Sequence, residues 1–564
     1  MQYQTGRVLV MQGGIAYNNG RFQDLGVKKM KIDEKLRQMW NRIGGPQKTA
    51  WLSCMVIGYL MHLYAFTNLI PNSDGLSRMY DAQQMTISGR WFLHYASMFH
   101  EYTQMPAAIG LLSLLFVACA SMFVVDLLGI ESKVFAGLTG AVMAAFPCLG
   151  YTFLYMFTAS AYSFAILLAV VSVWLAWRRS KGGFAVGALC LALSMGIYQA
   201  YVTVAIALTL LVLLRETMQP QATFKETFHR GLYMIGYLAA GAVLYYAVLM
   251  VFLKVKNLEL LSYLGMDAAN SGYPFAQLPH LIATAYKQVF AFFFMSGAEN
   301  AFGNAVMIVL DLAAVLLGIR CFAVYVSVKK MYTERWHIIG AAAMVLLLPL
   351  GMNFGQVMSP YSVPTPIMKY AFVTAYFLPL MLASYLDSVE LRRRKKRKCA
   401  VTVTALWMAG VLLFCLDTNN LLYMATTQAH RATESYMTRL MTRIEDCEDY
   451  EPGMDVAIIG GIPAEQITCE IEGFDRVIHY SAPTDTVLER NKHLYYYLQD
   501  WLNVPVHELS EDTMISIAES EAFAEMPLYP AKGSVAMIDD CIVVKMQETY
   551  TPKQDFELAY ENRR

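Results

Sequence analysis

Residues 50–70 read AWLSCMVIGYLMHLYAFTNLI, without a single Asp, Glu, Lys or Arg. A helix that crosses the hydrocarbon layer of a bilayer needs about 20 such residues. Comparable runs return at about 106–128, 231–253, 303–327, 337–357, 369–387 and 399–416. This repetition limits the fold more than any motif does. Within lipid every backbone donor and acceptor must be satisfied internally, and apolar runs of this length do so as helices. Charged residues make up 16% of the 564 positions, against roughly 25% in ordinary globular domains. The sequence predicts an α-helical polytopic membrane protein.

Two longer apolar stretches must each be divided. From the ESK turn at 131–133 to Arg178 the chain is apolar throughout, too long for one crossing at 1.5 Å per residue. Two helices turning near Pro147 to Tyr155 are predicted there. Gly183 to Arg215 divides at MGIYQAY, 195–201, into arms of about 15 residues, short of the usual spanning length. Tyr198, Gln199 and Tyr201 are therefore predicted to sit below the membrane surface, lining a water-filled cavity. The total is about 11 transmembrane helices. Between the seventh and eighth, QLPHLIATAYKQVFAFFF (277–294) is amphipathic enough to lie in the headgroup layer.

Sidedness follows from the basic flanks, which stay cytoplasmic. Residues 1–48 carry nine Lys or Arg against three acids, and LRRRKKRK fills 391–398. Beside a span, such a run is a cytoplasmic stop signal attracted to anionic lipid, and no nucleic acid is expected as a partner. The first 416 residues hold 33 bases and 17 acids; the remainder holds 11 bases and 27 acids. Three regions are expected: a basic cytoplasmic segment 1–48, a transmembrane domain 49–416 and an acidic extracytoplasmic domain 417–564. In the last, DVAIIGG and RVIHY read as strands and NKHLYYYLQDWL and DTMISIAESEAFAEM as helices, which predicts a small α/β domain. Gly460-Gly461 lacks a phosphate-loop context and is read as a strand–loop junction. Of the ten cysteines, Cys447, Cys469 and Cys541 lie in this region, and three thiols allow at most one bridge.

The densest charge outside the basic flanks is PNSDGLSRMYDAQQMTISGRW, residues 71–91, directly after the first apolar run. It brings Asp74, Arg78, Asp81 and Arg90 into a region whose neighbours are almost uncharged. Ionisable groups in such a place are functional candidates, against the plainer possibility of a solvated connecting loop. A second outer loop, MSPYSVPTPIMKY at 358–370, adds Tyr361 and Lys369 on a stiff proline-rich segment. Two classes of job fit this arrangement. A transporter or flippase of envelope precursors would centre on a deep charged residue, and Asp311 is the one available. A transferase with a lipid-linked donor needs a carboxylate as general base and cations on the leaving phosphate. Asp74, with Arg78, Arg90 and Lys369, supplies those parts, since the guanidinium fork matches phosphate oxygens. No cofactor is demanded by any motif. Asp74 and Asp81 leave a divalent metal open, because oxygen ligands have no diagnostic spacing here.

NSDGLSRMYDAQQMTISGRW, the mid-chain SMGIYQAYVTVAIALTLL and ATESYMTRLMTRIEDCEDYEPGMDVAIIGG resemble bacterial polytopic glucosyltransferases of the Gtr type, associated with O-antigen modification and belonging to the GT-C superfamily. The resemblance covers about residues 50–465. It implies transfer of a sugar, typically glucose, from a polyprenyl-phosphate donor to a cell-envelope glycan at the outer face, by inversion. It also implies a first-loop carboxylate as catalytic base. Family members often show two adjacent acids where this chain has Ser73-Asp74, so Asp74 acting alone and Asp74 acting with Asp81 both remain open.

Overall fold

The computed structural model describes residues 32–70, 72–76, 85–100, 104–260, 274–295, 305–360, 364–388, 394–448, 450–461, 488 and 491–550. The chain divides into two compact units, residues 1–44 and 45–564. In the first, α1 (Ile32–Arg42) carries Asp33 and Glu34 in its first turn and Arg42 in its last, which suits the helix dipole at both ends.

Among the described residues of the second unit, ten helical segments are long and apolar enough to cross a membrane. With the shorter apolar helix Gly183–Ile197 they match the expected series of crossings. The chain is a multi-pass membrane protein. The series begins with α2 (Gly45–Thr67) and, after the single turn α3 (Ser73–Leu76) and the short α4 (Leu93–Ser97), continues in α5 (Pro106–Leu128). Next come α6 (Lys133–Ala145) and α7 (Pro147–Leu154). These two are one apolar segment broken at Pro147, whose ring holds Phe146 in an extended conformation. The turn expected over 147–155 thus narrows to Tyr155, and Pro147–Leu154 is a buried helix.

The run proceeds through α8 (Met156–Arg178), α9 (Gly183–Ile197), α10 (Val202–Thr217) and α11 (Phe224–Lys256). The amphipathic α12 (Leu278–Phe294) follows, then α13 (Ala305–Lys329), α14 (Arg335–Met352), the one-turn α15 (Gly355–Met358) and α16 (Thr374–Ser388). At the end of the bundle that carries the basic residues, Asp126 gathers three helices. Its carboxylate accepts from Trp174 Nε1 at 2.7 Å, Arg178 Nη2 at 2.8 Å and Gln47 Nε2 at 3.4 Å. Deep in the bundle Asp311 accepts from the Tyr376 hydroxyl at 2.8 Å, a bond that ties α13 to α16.

The last crossing does not stop near residue 416. It continues as α17 (Arg394–Glu445), a helix of 52 residues, about 78 Å long at 1.5 Å per residue and well beyond the roughly 30 Å of hydrocarbon. Its far end, from Tyr436 to Ile444, enters a second hydrophobic core. There β1 (Asp455–Ile459) pairs in parallel with β2 (His507–Glu508) and with β4 (Cys541–Lys545), and β3 (Val535–Ile538) closes the sheet antiparallel to β4 in the order β2-β1-β4-β3. Helix α18 (Asn491–Tyr496) runs directly into a π-helical turn, Tyr497–Trp501, and α19 (Glu511–Ala518) and α20 (Glu521–Glu525) complete the layer. The predicted small α/β region is present. The strand expected at 476–480 and Cys469 lie outside the described residues; Gly460 ends β1 at φ +101 as a strand–loop junction.

Candidate active site

A polar loop at the mouth of a helix bundle is only useful in catalysis if something fixes it, and α3 is fixed from three sides. Asn72 is fully buried and caps the turn, its Oδ1 accepting from Gly75 N at 2.5 Å and its carbonyl from Leu76 N at 2.9 Å. Gln104 Nε2 donates to Gly75 O at 3.3 Å. Leu76 is fully buried in the second core. Between these anchors Asp74 is exposed to solvent.

Arg90 is held by a separate device, built from the two motifs GRW and YQ, which lie over a hundred residues apart. A 3-10 turn, Thr86–Ser88, ends on Gly89 at φ +79, a left-handed conformation. Gln199 Nε2 donates to Ser88 O at 2.8 Å and to the Tyr245 hydroxyl at 3.0 Å, while that hydroxyl donates to Gly89 O at 3.2 Å. Three residues on, Phe92 N donates to Gly196 O at 2.8 Å, and a Cβ on Gly196 would stand 2.7 Å from Trp91 Cε2. The chain therefore leaves the turn in one direction only. It delivers Arg90 with Cζ 4.6 Å above the Tyr198 ring and Nη1 donating to the Tyr162 hydroxyl at 3.1 Å. Tyr162 in turn stacks on Tyr198 at 4.7 Å and 8°. Such an arrangement directs a planar guanidinium, whose fork suits the oxygens of a phosphate.

Gly89→Ala tests that device. An L-residue in the left-handed region costs about 1–2 kcal/mol, and the new Cβ would meet Gln199 Nε2 and stand 2.6 Å from the Tyr245 oxygen. The variant should lose thermal stability of that order and turn over more slowly, with α2 to α17 still inserted. Unaltered stability and rate in detergent-purified protein would show that the turn does not orient Arg90.

Helix α8 collects these pieces over its first two turns. Phe157 lies within 3.9 Å of where a Cβ on Gly75 would be, Ser160 Oγ bonds His100 Nε2 at 2.6 Å, and Tyr162 holds Arg90. From 157 to 162 the helix rises only about 7.5 Å. His100 is 2% exposed, and burial lowers its imidazole from the usual 6.5 to about 4. It is therefore neutral near pH 7 and serves here as a hydrogen-bonding strut rather than a charge.

Three of the sequence-derived candidates, Arg78, Asp81 and Tyr361, lie outside the described residues. Tyr198 and Tyr201 are 3% and 1% exposed and belong to the main core, forming the aromatic wall behind Arg90. Gln199 is half-buried, and its amide donates to the turn. Lys369, at the end of the second outer loop, is 2% exposed, with Nζ 5.9 Å from the Phe292 ring centroid. The cause is local. The 3-10 turns Pro366–Met368 and Tyr370–Val373 draw the end of the proline-rich loop under the bundle surface, where Tyr370 donates to Met143 O at 2.8 Å. Among the described residues no group of three or more His, Cys, Asp or Glu gathers in a metal-binding arrangement. Tyr162, Tyr245, His100 and Leu76 carry no sequence signal, since each gains its role from a partner distant in the chain.

Asp74, exposed to solvent, and Arg90, aimed by its turn, both stand on turns packed against the start of α8. The model of the family described as Glucosyl transferase GtrII matches residues 63–435, which spans α3, the GRW turn and the YQ turn. No curated protein and no solved structure gave a match.

Proposed function

The chain belongs to the Glucosyl transferase GtrII family, and on that footing we propose that this membrane glucosyltransferase takes glucose from a polyprenyl-phosphate carrier and passes it to a cell-envelope glycan at the extracytoplasmic face. The observation that carries the proposal is the convergence on the start of α8 of the turn bearing Asp74 and the turn bearing Arg90. In the proposed reaction the acceptor hydroxyl attacks the anomeric carbon and gives its proton to Asp74. The bond from that carbon to the phosphate oxygen breaks with inversion, and Arg90, joined by Arg78 from the same loop, takes up the charge left on the polyprenyl phosphate. Asp81 is the second carboxylate of this loop and the reserve candidate for the base. Lys369, whose Nζ lies over the Phe292 ring, is the third cation assigned to the carrier phosphate. The outer-face assignment rests on the basic flanks read from the sequence.

The test uses the full chain in proteoliposomes, with labelled polyprenyl-phosphate glucose and an envelope glycan as acceptor. Label should move to the glycan and free polyprenyl phosphate should accumulate, whereas a nucleotide-activated glucose should give no transfer. Transfer from the nucleotide sugar without the lipid donor overturns the donor assignment. Labelled lipid crossing the bilayer unchanged, with no glycan product, would instead make the protein a flippase.

A further inference from the structure

Leu76 is fully buried, yet the residues that bury it are not those of the membrane bundle. It belongs to the second core, with Tyr436, Met437 and Leu440 of α17 and Leu494, Tyr497 and Leu498 of α18 and the π turn. Contact runs from α3 to both α18 and the π turn. The π turn is itself wedged in place: the Trp501 ring meets His430 of α17 edge-on at 4.5 Å, and Gln499 Nε2 donates to Val506 O at 2.7 Å. Single π turns inside helices recur at functional positions, because they re-aim side chains that a regular helix would point elsewhere.

An isolated helical turn has no stability of its own, since nucleation costs more than one hydrogen bond returns. The position of Asp74 is therefore set by what grips α3. On one side the grip is the Asn72 cap, Gln104 just before α5 and Phe157 of α8. On the other it is Leu76, two residues from Asp74, inserted in the core that β1 and β4 also form.

We propose that the carboxyl-terminal sheet region takes part in catalysis by position, with Leu76 as the positioning residue through which its packing fixes Asp74. This rests on Asp74 being the general base. Arg90 is held by Tyr162 and Tyr198, and the turn that carries it by Gln199, so loosening Leu76 should affect the base more than the donor phosphate site. Misplacing a reacting group by about 1 Å costs up to about 10²-fold in rate.

The experiment compares Leu76→Ala, Leu76→Val and Leu76→Met in the full chain, beside Asp74→Asn, with membrane abundance measured for each. Leu76→Ala should lower kcat about 10- to 100-fold with the donor KM unchanged, Leu76→Val should lose less, and Leu76→Met, of similar volume, should restore most of the rate. The graded Val variant keeps the comparison readable where Ala reduces abundance. Wild-type kcat in Leu76→Ala while Asp74→Asn is inactive overturns the proposal and leaves the base assignment standing. So does a parallel rise in donor KM, or a Met variant as slow as Ala. Full activity of Asp74→Asn removes the base assignment and the positioning role with it.

Discussion

Asp74→Asn should slow single-turnover transfer from polyprenyl-phosphate glucose by about 10²–10⁴-fold, the usual loss on removing a general base. Insertion and abundance should stay normal. The reason lies in the division of labour within α3: Asn72 and Leu76 are buried and hold the turn, whereas Asp74 is exposed and contributes to no core. The amide keeps the shape and cannot accept the proton. Asp81→Asn should be milder, as Asp81 lies further along the loop from the end of α2. Near wild-type transfer by Asp74→Asn at normal membrane levels would take Asp74 out of the mechanism and transfer the role to Asp81.

Arg90→Gln should cost about 10²–10³-fold in kcat/KM for the lipid donor, the range seen when one preorganised donor to a developing charge is removed. Arg90→Lys should recover only part of that loss. An ammonium keeps the charge but gives up the fork, and it stacks less well on Tyr198, over which Arg90 now lies at 4.6 Å. Titrating the donor at subsaturating concentration separates the two explanations for this cation. If Gln and wild type turn over equally there, Arg90 is an interfacial anchor for lipid headgroups and the phosphate must be held by other groups.

The bundle was legible because membrane insertion is read from a simple code. A run such as Pro106–Leu128 has no alternative to a helix in lipid. The site was legible only as a list of residues. Asp74 and Arg90 stand out by charge alone, but what aims them is contact across the fold, as with Gln199 reaching Ser88 or Tyr162 reaching Arg90. Nothing in a YQ pair within an apolar stretch announces that its glutamine reaches the Ser88 carbonyl at 2.8 Å. Lys369 is a related case. Three prolines nearby argue for an exposed loop, and the burial of Tyr370 and Phe372 that draws the lysine inward depends on α6 and α12, far away in sequence. Leu76 is the clearest case: one leucine in a polar loop has no periodicity to betray it.

The unbroken course of α17 has a consequence for how its sequence can change. Tyr423 is its last residue in the membrane core and Tyr436 its first in the second core. Between them the helix is the sole covalent link, and both ends are locked. Side-chain replacements on its exposed face leave that geometry alone. One inserted or deleted residue would turn the far end by about 100° and shift it by about 1.5 Å, swinging the sheet away from Leu76. The number of residues between the two tyrosines is therefore a coordinate of the active site, and a change of length there should be as damaging as the loss of a side chain that touches the sugar.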